Sequence, residues 1–210
     1  MNKKIKRLVV FASGGGSNFK AIHKAIINKE ISGSIKLLIS DNPEAQAIEY
    51  ANFKNIPTLV VKRLNFTNTT DYSEQLLISV NNIKPDLIIL AGYLKKIPNI
   101  IIKAYSRKIL NIHPALLPKF GGKGYYGINV HKAVIDSNEK VTGPTVHFVS
   151  DNYDEGPIIF QKSIGINDSD TPVTLAKRVL EIEHMIFPYV VKCYCDNKIN
   201  WHNGKPIISK

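Results

Sequence analysis

Arg7-Leu8-Val9-Val10-Phe11-Ala12, followed at once by Ser13-Gly14-Gly15-Gly16-Ser17-Asn18, decides the fold. The first stretch is a short apolar run, suited to a buried strand. The glycines then turn the chain into residues 18–28, where Phe19, Ile22, Ala25 and Ile26 recur at helical spacing. The alternation continues outward from there. Residues 36–40, 58–61, 86–90 and 109–112 read as strands, and residues 44–54, 71–83 and 98–105 as helices. Continuous β-branched strands between helices mean a parallel sheet covered on both faces. The expected architecture is a doubly wound, Rossmann-like α/β fold, its mostly parallel sheet binding ligands at the carboxyl ends of the strands.

After Pro114 the pattern changes. Residues 117–129 form a glycine-rich loop, long enough to expect a function or mobility. A short helix over 130–136 and strands over 142–149 and 157–162 follow. A long helix over 174–194 carries Leu175, Val179, Ile182, Ile186 and Val190 on one face. Residues 199–201 suit a terminal strand, so C-terminal antiparallel strands and a long helix close the chain. At 210 residues a single domain over 1–210 is expected.

The net charge is +11, yet the lysines are scattered singly among Ile and Asn. That distribution favours a multiply anionic small substrate over nucleic acid. No apolar run approaches the roughly 18 residues of a membrane span, so no membrane partner is expected. The basic start is followed by too short an apolar stretch for a secretory signal, and a cytoplasmic location is expected. Cys193 and Cys195 are too few for a zinc site and read as reduced packing or surface residues.

Chemistry concentrates in two loops. Asn111-Ile112-His113-Pro114 follows one strand, and Ser150-Asp151-Asn152-Tyr153-Asp154-Glu155-Gly156-Pro157 follows another. An amide can donate to an oxyanion, an imidazole can pass a proton, and a carboxylate can hold the imidazole's charge or a water. The combination suggests acyl or formyl transfer. Spacing alone does not choose among Asp151, Asp154 and Glu155 as the acid. His147, opposite Val146 and Phe148 in its strand, faces either the site or solvent. Gly14-Gly15-Gly16 lacks the third small residue of a dinucleotide fingerprint, since Phe19 stands there, and lacks a Walker lysine. A sugar-phosphate cradle fits, with Ser17 or Asn18 capping the helix; a tight structural turn is the alternative.

These residues resemble the phosphoribosylglycinamide formyltransferase family of 10-formyltetrahydrofolate-dependent enzymes. The resemblance runs nearly end to end. It includes residues 13–18, Leu90-Ala91-Gly92-Tyr93, residues 110–119, Gly143-Pro144-Thr145-Val146-His147-Phe148-Val149, residues 151–161 and Glu183-His184. It implies transfer of a formyl group to the amine of 5'-phosphoribosylglycinamide in purine biosynthesis. Gly16, Ser17, Asn18 and Glu183 would bind the ribonucleotide. Tyr93, Leu94, Lys95, Lys96, Ile97, Asn111, Ser150, Asp151 and Asp154 would bind the folate. Asn111, His113 and Asp154 would be catalytic, with Asp154 raising the pKa of His113, and no metal is expected. Residues 1–112 would form the nucleotide half and 113–210 the catalytic and folate half. The expected partners are these two small molecules, with the protein a monomer or homodimer. Formyltetrahydrofolate hydrolase, or a formyltransferase acting on another amine such as initiator tRNA, is the alternative; both would carry a further domain.

The chain departs from the family pattern in three places. Lys95 replaces an arginine, and Lys96 an apolar residue. The arginine of the loop before the third helix has no match around Asn68, leaving Lys62 or Arg63 as substitutes. The 120–129 loop is longer than in short members, and either closes over the phosphate through Lys123 or is a mobile surface loop.

Overall fold

The computed structural model describes residues 4–209, and the outermost residues of the expected domain lie outside that range. It divides into two compact units, the first ending at Leu110 and the second beginning at Asn111.

The first unit alternates strictly. Its elements are β1 (Lys6–Phe11), α1 (Ser17–Ile27), β2 (Gly33–Ser40), α2 (Gln46–Phe53), β3 (Thr58–Val60), a single 3-10 turn (Arg63–Asn65), α3 (Thr69–Ile83), β4 (Leu87–Leu90) and α4 (Asn99–Ala104). The strands lie in the order β3-β2-β1-β4, and all pairings are parallel. Leu8, Val9, Val10 and Phe11 of β1 are fully buried, as are Leu87, Ile88 and Ile89 of β4. A strand covered on both faces shows no alternation, which is why these stretches are solid apolar runs. The chain winds outward from β1 to β3, then returns to lay β4 on the other side of β1. Ligands gather at such a reversal. Two loops meet there: Ser13 N–H donates to Gly92 O at 3.1 Å, and Leu94 N–H to Ser13 Oγ at 2.9 Å.

Helix α1 starts one residue earlier than its periodicity suggests. The capping position is Gly16, at φ 67°, and neither Ser17 nor Asn18 caps the helix with its side chain. The cause is close approach, since a Cβ on Gly16 would lie 2.7 Å from Ala47 Cβ.

The second unit takes up the last residues of β5 (Ile109–His113). It continues with α5 (Ile128–Asp136), β6 (Val141–Thr142), β7 (Thr145–Phe148), β8 (Ile158–Gln161), β9 (Ile164–Gly165), α6 (Pro172–Cys195), β10 (Ile199–His202) and β11 (Lys205–Ile208). The order β5-β7-β8 holds here, with β7 and β8 antiparallel. The single strand expected over 142–149 is two. Gly143 adopts φ 150°, and a Cβ there would sit 2.0 Å from Lys162 O. The chain breaks at that crowded point, and β6 pairs with β9 instead. β11 was hidden by Pro206, which weakens a strand reading but is tolerated at an edge. Helix α6 begins with a Thr171–Thr174 capping box and Pro172 in its first turn. Its Leu175 and Val179 close a core with Val134 of α5. Both cysteines are buried, and neither is in a disulfide.

The loop between β7 and β8 is tied at its base, where Phe148 N–H donates to Pro157 O at 2.9 Å. Gly156 lies beneath that base, and a Cβ on it would meet Phe148 O at 1.7 Å. Gly156→Ala should therefore force the loop apart and cost about 1–3 kcal/mol. Urea unfolding measures this, and an unchanged midpoint would show that the loop yields freely.

Candidate active site

Strand β5 ends on Asn111 and His113, two residues apart and so on one side of the chain. The segment beyond them is pinned by Thr145. Its Oγ donates to Ala115 O at 2.6 Å, and accepts from Leu117 N–H at 3.1 Å and Gln161 Nε2 at 2.8 Å. Asp154 stands in the β7–β8 loop at φ 57°, a left-handed conformation that aspartate tolerates better than most residues. Of the three acids that the spacing left open, Asp154 is the one brought in. Asp151 and Glu155 are exposed, and Glu155 accepts from Asn152 Nδ2 at 2.7 Å.

The carboxylate is the hub. Its Oδ2 accepts from Gly122 N–H at 2.9 Å and lies 3.5 Å from His113 Nδ1. Its Oδ1 lies 3.4 Å from Asn111 Nδ2 and 3.6 Å from His147 Nε2. Burial alone would push its pKa up. The hydrogen bond and charge that the His147 and His113 rings can offer when protonated, together with the Gly122 N–H, more than offset that, and the net pKa falls below the ordinary value. Asp154 is therefore ionised at neutral pH.

His113 departs from expectation. Asp154 and the Phe120 carbonyl do raise its pKa, but desolvation of a ring only 4% exposed outweighs them, and the pKa falls below 6.5. The ring is thus mainly neutral at neutral pH. Its Nε2 sits 2.7 Å from Phe120 O, which can only accept, so Nε2 carries the proton. The Nδ1 lone pair then faces the Asp154 carboxylate, an arrangement ready to take up a proton.

Sequence reasoning left one contributor open and missed two. His147, 2% exposed, turns toward Asn111 and Asp154; a strand buried on both faces gave alternation nothing to separate. Phe120 O and Gly122 N–H act through the backbone, which side-chain identity does not reveal. The base of the glycine-rich loop is thus docked on His113 and Asp154, while Lys123 is exposed. Among the described residues, no group of three or more His, Cys, Asp or Glu could hold a metal, and no helix is long and apolar enough to cross a membrane.

In the first unit, Gly14 and Gly15 are exposed beside an α1 terminus that has no side-chain cap and no acid in its first turn. Backbone N–H groups left this way suit an anion. Asn18 is buried there, and on α6 so is Glu183. A cavity of about 1040 Å³ includes Lys95, Lys96 and Ile97 of the expected folate loop, together with Lys62 and Arg63. Arg63 donates to Thr69 Oγ1 and to Phe66 O, each at 2.9 Å, which holds its guanidinium at the head of α3. Lys95 lies 3.8 Å from Asp41. Leu94 is exposed, and Tyr93 pairs its hydroxyl with that of Tyr72 at 3.3 Å. Ser150 donates to Asn152 O within its own loop.

A side-chain amide, a neutral imidazole and an ionised carboxylate at strand ends suit group-transfer chemistry. The sequence profile of the formyl transferase family matches residues 6–191, and the chain belongs to that family. It is 44% identical over 205 residues to the chloroplastic phosphoribosylglycinamide formyltransferase of Arabidopsis thaliana, an alignment covering 97% of this chain and 70% of the relative. The Bacillus subtilis phosphoribosylglycinamide formyltransferase is 38% identical, over 90% of this chain and 94% of its own. The crystal structure of glycinamide ribonucleotide transformylase 1 from Symbiobacterium toebii superposes with a TM-score of 0.92 at 30% identity, covering 99% of this chain and 95% of that one.

His131 of α5 is 4% exposed, and burial, then His113, draws its pKa to about 4. The folded chain thus resists protons that the unfolded chain accepts on His113 and His131. The stability these neutral rings contribute is complete above pH 6.5, the ordinary histidine value, and is lost as pH falls toward the folded pKa, about 4 for His131. The urea midpoint should drop across that window, with His131 accounting for on the order of 3 kcal/mol. His131→Gln should flatten the drop; an unaltered slope in that variant would contradict the assignment.

Proposed function

We propose that this formyltransferase moves the formyl group of 10-formyltetrahydrofolate to the amine of 5'-phosphoribosylglycinamide in purine biosynthesis. The observation that carries the reading is the convergence of Asn111, His113 and Asp154 within 3.5 Å contacts, in a chain whose relatives are named for that transfer. The Gly14–Gly16 turn and the head of α1, with Ser17 and Asn18, take the ribonucleotide phosphate, and Glu183 meets its ribose and amine. Tyr93 to Ile97, with Ser150 and Asp151, take the folate. Lys62 and Arg63 meet its carboxylates in place of the family's arginine.

The unprotonated amine attacks the formyl carbon, and a nitrogen–carbon bond forms as the carbonyl becomes an oxyanion. An Asn111 N–H donates to that oxyanion. The proton released by the new ammonium passes to neutral His113, and Asp154 stabilises the imidazolium as it forms. His113 returns the proton to the folate nitrogen as its bond to the formyl carbon breaks. A histidine with a lowered pKa suits this shuttle better than a standing cation would. Two cysteines outside any disulfide suit a reducing compartment such as the cytoplasm.

The direct test follows formyl loss from 10-formyltetrahydrofolate with and without the ribonucleotide. Loss only with the acceptor is expected; equal loss without it would make the chain a hydrolase. Asn111→Ala and His113→Ala should each lower turnover by about 10²-fold or more while the chain stays folded. Near-normal turnover would overturn their roles. The ribonucleotide should also raise the melting temperature where free glycinamide does not, and equal protection would rule out the phosphate cradle.

A further inference from the structure

We infer that His147 is a positioning residue that locks the orientation of the Asn111 amide by accepting a hydrogen bond from it. The inference rests on the formyl-transfer reading but uses a residue outside the expected catalytic trio. Nδ1 of His147 lies 2.9 Å from Phe148 O. A carbonyl only accepts, so Nδ1 carries the ring proton and Nε2 presents a lone pair. Asn111 Nδ2 sits 3.1 Å from that Nε2 and donates to it. The amide's other N–H points to Asp154 Oδ1 at 3.4 Å.

Both amide protons thus face acceptors. Turned over, the amide would set its oxygen against a carboxylate oxygen and a ring lone pair, so a single orientation is stable. The two bonds differ. The one to Asp154 is long and lies at the weak end of the range, while the one to His147 is shorter and starts from a ring 2% exposed. When the oxyanion develops, the Asp154-facing N–H is the one released to it. The bond to His147 stays as the pivot. A donor held ready in this way spends nothing on reorientation during the reaction.

The test combines ring spectroscopy with rates. In the ¹⁵N spectrum of the wild-type protein, His147 should show a protonated Nδ1 and an unprotonated Nε2 that is hydrogen-bonded to an Asn111 side-chain proton. His147→Leu removes the acceptor and should lower kcat about tenfold, with KM for both substrates held within about twofold. His147→Gln returns an acceptor near Nε2 and should restore most of the rate. A protonated Nε2, an unchanged kcat in His147→Leu, or a His147→Gln variant as slow as His147→Leu would each overturn the inference. If His147→Leu does not fold, the wild-type spectrum and His147→Gln still decide. Failure of the wild type to transfer formyl would instead strike the functional reading, leaving the ring spectrum to stand or fall alone.

Discussion

A carboxylate with a side chain only 11% exposed is the constraint on which the second unit depends. Burying a charge costs several kcal/mol unless hydrogen bonds and opposite charge offset it. Asp154 receives that compensation from the Gly122 N–H and from Asn111, with the His113 and His147 rings close by at 3.5 Å and 3.6 Å. Each partner dictates local structure. The Gly122 contact draws the glycine-rich loop inward. The Asn111 contact fixes where β5 must end. Presenting the acid inward takes a left-handed residue at 154, and Gly156 lets the loop return under Phe148 O. Stability and chemistry thus share one set of bonds.

The same carboxylate explains how His113 can stay neutral without making the site inert. Desolvation draws down the pKa of His113, and a full imidazolium there at rest would be costly. Asp154 works the other way, so the penalty is smallest at the moment a proton arrives. The Phe120 carbonyl contributes by fixing which ring nitrogen is already protonated. The result is a neutral ring with its open nitrogen facing a carboxylate that would stabilise its conjugate acid.

Legibility in the sequence followed the physics of each element. The parallel core of the first unit was readable because strands buried on both faces must be apolar throughout, as in β1 and β4. The loops at strand ends were readable because doubly wound sheets place ligands there. Asn111 and His113 were singled out by residue type and position, and Asp154 by the family resemblance, because spacing left three acids open. What escaped depends on backbone or on distant approach. The break at Gly143 arises from Lys162 O, and the capping role of Gly16 from Ala47. The sign of the His113 shift depends on how much water its neighbours exclude. The facing of His147 could not be read where every residue of β7 is buried.

Charge is divided between two tasks. The surplus of +11 lies mostly on exposed lysines, where salt screens each over about 10 Å and their combined field draws in anions. Lys62, Arg63, Lys95 and Lys96 gather that field at one cavity. Arg63 is anchored there by two hydrogen bonds at the head of α3. The reacting charge is handled differently. It is one buried anion among neutral donors, where low dielectric strengthens every contact. The buried anion cannot shift without breaking the bonds that hold β5, β7 and their loops in place.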